Sequence, residues 1–416
     1  LILAQLKELG WTDNSTTATF SAITTAGMFL GALVGGIIGD KTGRRNAFIL
    51  YEAIHIASMV VGAFSPNMDF LIACRFVMGV GLGALLVTLF AGFTEYMPGR
   101  NRGTWSSRVS FIGNWSYPLC SLIAMGLTPL ISAEWNWRVQ LLIPAILSLI
   151  ATALAWRYFP ESPRWLESRG RYQEAEKVMR SIEEGVIRQT GKPLPPVVIA
   201  DDGKAPQAVP YSALMTGVLL KRVILGSCVL IAMNVVQYTL INWLPTIFMT
   251  QGINLKDSIV LNTMSMFGAP FGIFIAMLVM DKIPRKTMGV GLLILIAVLG
   301  YIYSLQTSML LITLIGFFLI TFVYMYVCYA SAVYVPEIWP TEAKLRGSGL
   351  ANAVGRISGI AAPYAVAVLL SSYGVTGVFI LLGAVSIIVA IAIATIGIET
   401  KGVSVESLSI DAVVNK

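Results

Sequence analysis

Arg356 is the residue of this 416-residue sequence with the most chemical consequence. It lies in an apolar run that starts near residue 347, so at 1.5 Å per helical residue its Cα is about 13 Å along a helix. If that run crosses a bilayer, the guanidinium is near mid-membrane, where a charge is costly and marks function by default. A guanidinium offers a planar fork of donors suited to a carboxylate. No Asp or Glu lies at comparable depth in the C-terminal half, which favours a bound organic anion over a structural pair with a buried acid. Gly347, Gly349, Gly355 and Gly359 leave room beside it, and Asn352 lies one turn earlier. A second polar set follows helical spacing: Asn234, Gln237, Tyr238 and Asn242 fall at i, i+3, i+4 and i+8 on one face of an apolar run. Tyr324, with Tyr326, Cys328, Tyr329 and Tyr334 on the same run, adds hydroxyl donors and aromatic surface, and Asn114, Trp115 and Tyr117 add amide and ring groups. For each tyrosine, helix packing is as good a reading as ligand contact.

These residues need helices to hold them in lipid. Apolar residues make up 56% of the chain and charged ones 12%, with a mean hydropathy of +0.76; a soluble domain carries roughly 25% charge. Runs long enough to cross a core of about 30 Å occur at 17–39, 46–64, 69–93, 104–128, 137–159, 223–248, 259–280, 287–304, 307–335, 347–371 and 375–397, eleven in all. None alternates with period two, so the fold class is an all-α membrane protein. Basic residues gather at alternate turns, with Lys41, Arg44 and Arg45 in one, Arg100, Arg102 and Arg108 in another, and Lys282, Arg285 and Lys286 in a third. The turns at 65–68, 305–306 and 372–374 hold no Lys or Arg, which makes the basic face cytoplasmic. The net charge of +7 is thus an orientation signal and not a nucleic-acid footprint.

Five runs precede a polar middle and six follow it. The opening LILAQLKELGW reads as the last turn of a helix leaving the outer face, which implies a first span before these residues and two six-helix halves. The expected organisation is an N-terminal half over 1–159, a cytoplasmic linker over 160–221 with short amphipathic helices, a C-terminal half over 222–400 and a tail over 401–416. The linker either simply joins the halves or also acts as a latch. The four cysteines lie in apolar runs without metal-ligand spacing, and Asn14-Ser15-Thr16 is a sequon short enough to arise by chance. There is no Walker motif and no nucleophile, base and orienter set, so enzyme and nucleotide-driven pump readings are weak and no cofactor is called for.

Charges at the cytoplasmic turns have a mechanical reading. Asp40 ends one run with Arg44 four residues later, and Glu95 and Arg102 end the matching run of the same half. Such groups pair when an inner gate is shut and separate when the halves rock, or they serve as topology signals alone.

With these residues in view, the chain resembles the major facilitator superfamily, in its sugar-porter and organic-ion-transporter branch. Gly36-x-x-x-Asp40-Lys41-x-Gly43-Arg44-Arg45 resembles the signature turn between the second and third helices. Arg75-Phe76 with Gly79, Gly81 and Gly83, then Glu95-x-x-Pro98-x-x-x-Arg102-Gly103, PESPRWL at 160–166, Pro336-Glu337-x-x-Pro340-Thr341 with Arg346-Gly347, and Ile398-Glu399-Thr400-Lys401-Gly402 follow in the branch's order. The finer likeness is to bacterial metabolite transporters and niacin-transporter-like proteins. The resemblance implies a two-halved carrier of the bacterial inner membrane, a monomer surrounded by lipid, working by alternating access. Gating falls to Asp40, Arg44, Arg45, Glu95, Arg102, Glu337 and Arg346. Pro284 stands where the second-half turn is expected to hold glycine, and no arginine opens the tenth span, so a weaker C-terminal gate is expected.

In the organic-ion branch, anion carriers resemble this chain in having arginine at the place of Arg356, which suggests a small organic anion, an aromatic or hydroxylated carboxylate. The polar stripe also resembles, imperfectly, the stretch with which sugar porters hold hydroxyls. Arg75 stands where proton symporters pair an arginine with a first-helix aspartate, so proton coupling is the expected drive, against exchange or facilitated diffusion. Glu52 and His55 at i and i+3 are a further proton-carrying pair or a local hydrogen bond that satisfies both. The alternatives are a carrier of sugars or other neutral polyols, and a solute sensor that keeps the fold without moving its ligand.

Overall fold

A computed structural model describes residues 2–96, 102–194, 210–280, 282–340 and 343–401; the side chains at 90–96, 102–107, 344 and 345 are outside that description. The described backbone is helical with short connections: α1 Ile2–Glu8, α2 Asn14–Thr42, α3 Arg44–Ala63, α4 Met68–Tyr96, α5 Arg102–Asn114, α6 Ser116–Leu127, α7 Ala133–Tyr158, α8 Pro163–Ser168, α9 Tyr172–Thr190, α10 Tyr211–Leu214, α11 Gly217–Thr250, α12 Leu255–Met266, α13 Gly268–Val279, α14 Arg285–Ser304, α15 Met309–Cys328, a π-helical turn Tyr329–Tyr334, α16 Val335–Glu337 and α17 Lys344–Ile396.

Helix starts follow short polar side chains. Asp13 accepts the Thr16 N–H at 2.7 Å, Asn67 that of Phe70 at 2.9 Å, and Asn254 that of Asp257 at 2.8 Å, each satisfying a first-turn donor that has no partner within the helix. Gly43 at φ 94 makes the corner between α2 and α3, and Gly191 at φ 65 ends α9.

Among the described residues, nine helices are long and apolar enough to cross a membrane. The eleven apolar runs fit the same backbone. Lys344–Ile396 is two runs meeting at Gly374, whose φ 65 and ψ −158 are not helical. The run at 104–128 is α5 and α6, which break at Trp115, three residues before Pro118. Proline has no N–H to return to the carbonyl four residues back, here Asn114, so the helix parts where that bond is missing. Pro270 does the same after Phe267, between α12 and α13.

Contacts divide the chain into two compact units: Leu1–Thr25, Ser106–Gln140 and Pro206–Lys416 form one, and Ala26–Trp105 with Leu141–Ala205 the other. These units do not coincide with the halves read from the sequence. Segment Ser106–Gln140 lies in the larger unit because α6 packs on α12: Asn262 donates to the Ser121 hydroxyl at 3.1 Å, and Ala4, Ala124, Leu255 and Ile259 form a buried cluster. The larger unit's main core joins side chains of α11, α14, α15 and α17, including Leu230, Val236, Leu293, Ile320 and Phe379. In the smaller unit α2 and α4 approach through small residues. A Cβ on Gly27, Gly31 or Gly35 would meet Phe76, Val80 or Ala84 backbone, and one on Gly83 would meet Met28, the small-residue contact by which helices pack in lipid.

Candidate functional site

In the larger unit, α11 and α17 bring much of the expected substrate set together. Gly355 and Gly359 lie on the face of α17 turned to α11: a Cβ on Gly355 would be 3.0 Å from the Asn234 amide nitrogen, and one on Gly359 would be 3.2 Å from the Tyr238 ring. Small residues at i and i+4 thus let the polar stripe of α11 approach the helix that carries Arg356. The helix starts at Lys344, so Arg356 is about 18 Å along it, near the middle of the stretch that ends at Gly374. Its side chain is half-buried, and it has no hydrogen bond or ion pair among the described residues. A structural pair with a buried acid is therefore not formed there.

Gln237 gathers with Tyr117 of α6, Tyr324 of α15 and its own neighbour Tyr238, close enough for the three hydroxyls and the amide to interact. The Tyr117 and Tyr324 rings meet edge-on with centroids 5.2 Å apart. Tyr324 is 1% exposed, and its hydroxyl has no hydrogen bond of normal geometry. Other expected site residues are differently employed. Asn234 turns its amide back to the Leu230 carbonyl at 2.7 Å, Asn352 to Ser348 at 2.9 Å and Asn114 to Ser110 at 2.7 Å. Asn242 is half-buried with no hydrogen bond among the described residues. The other tyrosines of the run are apart from this cluster. Tyr326 donates to the Val229 carbonyl at 3.1 Å, and Tyr329 stacks on Tyr334, whose hydroxyl bridges the backbone of Ile398.

The cytoplasmic turns show the same clasp twice. In the smaller unit, Arg44 donates to Asp40 at 2.7 Å and to the Gly39 carbonyl at 3.0 Å, while Glu161 accepts the backbone N–H groups of Arg44 at 2.7 Å and Arg45 at 3.3 Å. Asp40 is 71% exposed, and its described ion pair is this one, across the corner between α2 and α3. Its carbonyl accepts from Trp165 and Arg169, each at 2.7 Å. The side chains of Glu95 and Arg102 lie outside the described residues.

In the larger unit, Arg285 takes the place of Arg44. It makes a bidentate pair with Glu337 at 3.0 and 3.1 Å and reaches the Met280 carbonyl. Glu399 accepts the Arg285 and Lys286 N–H groups at 2.8 and 3.1 Å, and Thr400 donates to Glu337 at 2.6 Å. Partial burial raises the Glu399 pKa, but the N–H groups of Arg285, Lys286 and Lys401 outweigh it and leave the carboxyl below the usual range. Pro284 leaves this turn able to close, so the expected weakness of the C-terminal gate is not visible in its bonding. Arg346 stacks on Tyr211 with its guanidinium 5.2 Å from the ring centre.

Of the expected coupling groups, Arg75 and His55 converge on Met78. Arg75 lies 3.6 Å from its sulfur, and a His55 ring nitrogen 3.4 Å from its carbonyl. Glu52 is 8% exposed with one carboxylate oxygen buried and unbonded. The local Glu52–His55 hydrogen bond is not formed, because Gly81 lets α4 come against the His55 backbone and its ring turns to that helix.

Comparison with known proteins decides what this arrangement belongs to. The family described as sugar (and other) transporter matches residues 4–412. The chain belongs to this family of the major facilitator superfamily. A putative metabolite transport protein of Escherichia coli, YdjK, is 99% identical over 100% of the chain and 91% of its own length. The inner membrane metabolite transport protein YdjE, also of Escherichia coli, is 44% identical over 98% and 90%. The niacin transporter NiaP of Acinetobacter baylyi is 26% identical over 92% and 85%. Among solved structures, the partially occluded inward-open xylose transporter XylE of Escherichia coli matches with a TM-score of 0.77 and 18% identity, covering 97% of this chain and 94% of that one. The chain is thus a multi-pass transport protein of a bacterial inner membrane with the major facilitator fold, and not an enzyme.

Within that family frame, sequence reasoning missed the parts of the two clasps that lie far apart in the chain. Glu161 and Glu399 were visible in the motifs PESPRWL and IETKG, and each lies just after the last apolar run of its half. That shared place was the available signal. Only the folded chain shows each carboxylate capping the helix that begins at Arg44 or Arg285.

Proposed function

We propose that this chain is a secondary active carrier that takes a small organic carboxylate on Arg356 and moves it by alternating access, coupled to a proton. One observation supports this reading above the rest: Arg356 is midway along a membrane-spanning helix and has no acidic partner among the described residues. A guanidinium in that place stabilises a bound anion more than any neutral solute, because the anion replaces lost hydration. Gln237, Tyr117, Tyr238 and Tyr324 supply hydroxyl and amide donors with ring surface, which suits an aromatic or hydroxylated acid. One relative is named a niacin transporter, and niacin is an aromatic monocarboxylate. Arg75 and His55 beside Met78 are the proposed coupling groups.

A neutral sugar or polyol is the second reading, favoured by the Gln237, Tyr117 and Tyr324 cluster, which could hold hydroxyls without Arg356. A thermal-shift screen separates the two, since a ligand of the folded state raises its apparent stability. Aromatic monocarboxylates and sugar acids are expected to raise the melting temperature above their uncharged analogues. A clear preference for neutral sugars would replace the anion reading with the second one. Counterflow of labelled ligand in proteoliposomes tests movement, because a sensor would bind without exchanging.

A further inference from the structure

In the smaller unit, the cytoplasmic ends of α3 and α7 and the start of α9 enclose a cleft of about 490 Å³. Its walls carry Arg45, Arg157, Arg171 and Lys177 against Glu161 and Glu174. Both carboxylates are already engaged. Glu161 accepts the backbone N–H groups of Arg44, Arg45 and Ser162. Glu174 takes a bidentate pair from Arg171 at 2.7 and 2.6 Å, and Lys177 feels it only at longer range. Arg45 donates one terminal nitrogen to the Trp156 carbonyl, while its Nε is buried without an acceptor. Arg157 and Lys177 have no hydrogen bond or ion pair among the described residues. Backbone N–H groups leave the Glu161 charge in place, so four cations from three elements face two carboxylates and the cleft keeps an excess of two positive charges.

The approach to this cleft is apolar. Ile150, Leu154 and Tyr158, on the side of α7 that carries Arg157, are 53 to 75% exposed, as side chains facing lipid are, with the Tyr158 ring at the depth of a membrane boundary. The basic-turn pattern puts this end of α7 in the cytoplasmic leaflet. Basic pockets at that level recognise anionic lipid headgroups.

We infer that the cleft holds the headgroup phosphate of an anionic phospholipid of the cytoplasmic leaflet, with Arg45, Arg157 and Lys177 as its donors. The bordering α7 face gives the acyl chains a surface, which a free phosphate would not use. Arg45 belongs to the turn that carries Asp40 and Arg44, and Glu161 both caps that turn and lines the cleft. A headgroup bound there would load the first clasp, so leaflet composition becomes a regulator of transport.

The test is retention of lipid by purified protein offered equal phosphatidylglycerol and phosphatidylcholine, counted by native mass spectrometry. Wild type is expected to keep phosphatidylglycerol in preference, and Arg157→Gln with Lys177→Gln to lower that retention roughly 30-fold, the order set by two basic residues near a membrane surface. Lys192→Gln, a cation outside the cleft, should retain lipid as wild type does, with circular dichroism confirming the fold of each variant. Lys177→Glu alone, on an exposed face of α9, serves if the double variant does not fold. Equal retention by wild type and the cleft variants would overturn the site, as would the same loss in Lys192→Gln. If sodium phosphate stabilises lipid-free wild type as much as phosphatidylglycerol does, and the cleft variants lose that response, the ligand is soluble phosphate and the lipid proposal is wrong.

Discussion

At the scale of single residues, Arg356 and Glu399 show how surroundings decide what a charge does. Arg356 has no partner among the described residues, so its replacement tests the ligand and not a salt bridge. Arg356→Ala is expected to weaken binding of an organic carboxylate about 10- to 100-fold, the equivalent of roughly 1.5–3 kcal/mol for a charge-assisted hydrogen bond. Arg356→Lys should recover part of this, since it keeps the charge and loses the fork. Titration calorimetry measures both, and unchanged anion affinity in the two variants would remove Arg356 from the site. Glu399 holds its charge for a different reason, through three backbone N–H donors. A depressed folded pKa makes its contribution fully present above the unfolded value, near 4.5, and lost as pH falls through the lower folded one. The melting-temperature gap between wild type and Glu399→Gln should therefore be steady from about pH 6 to 8 and close below about pH 4. A gap that widened in acid would contradict this account of the clasp.

At the scale of elements, breaks in helices matter as much as their length. Gly374 lets two spans meet without a loop, at a φ and ψ that essentially only glycine adopts. Gly374→Ala meets no neighbouring atom within 4 Å, so its cost is backbone strain alone, about 1–3 kcal/mol. A melting temperature equal to that of wild type would show that the corner tolerates a Cβ. The breaks at Trp115 and Phe267 come instead from the hydrogen bonds that Pro118 and Pro270 cannot donate, and they bring Trp115 and Phe267 edge-on with centroids 6.4 Å apart. Prolines were legible in the sequence as interruptions. That the two interrupted spans pack on each other was not.

At the scale of the molecule, the duplicated clasp is the feature most relevant to movement. Arg44 with Glu161, and Arg285 with Glu399, make the same backbone cap at two places far apart in the chain. In the first, the Asp40–Arg44 pair is a small bias on a conformational equilibrium, because Asp40 is exposed and such pairs contribute about 0–1 kcal/mol. Asp40→Asn removes the exposed partner of Arg44 and leaves the apolar spans untouched. The variant should insert and bind ligand as wild type does, while its uptake rate falls several-fold. Wild-type uptake by a well-expressed variant would reduce Asp40 to a topology signal. In the same proteoliposomes an inward proton gradient should drive uphill uptake if Arg75 and His55 couple a proton, and failure to do so would leave exchange or facilitation.

The one-dimensional pattern was enough for the class of protein, because lipid demands long apolar helices with basic turns on one face, and both are written in residue order. Asp40, Arg44, Glu337 and Arg356 were legible for the same reason: a charge at the end or middle of an apolar run stands out. The tertiary structure decided what those charges do. Glu161 and Glu399 reach helix starts more than a hundred residues away, His55 faces Met78 and not Glu52, and Gln237 meets Tyr117 and Tyr324 from two other helices. Helical periodicity fixes which residues share one face, but the partner for that face is chosen by packing between helices, and small residues such as Gly355 and Gly359 set how close it comes.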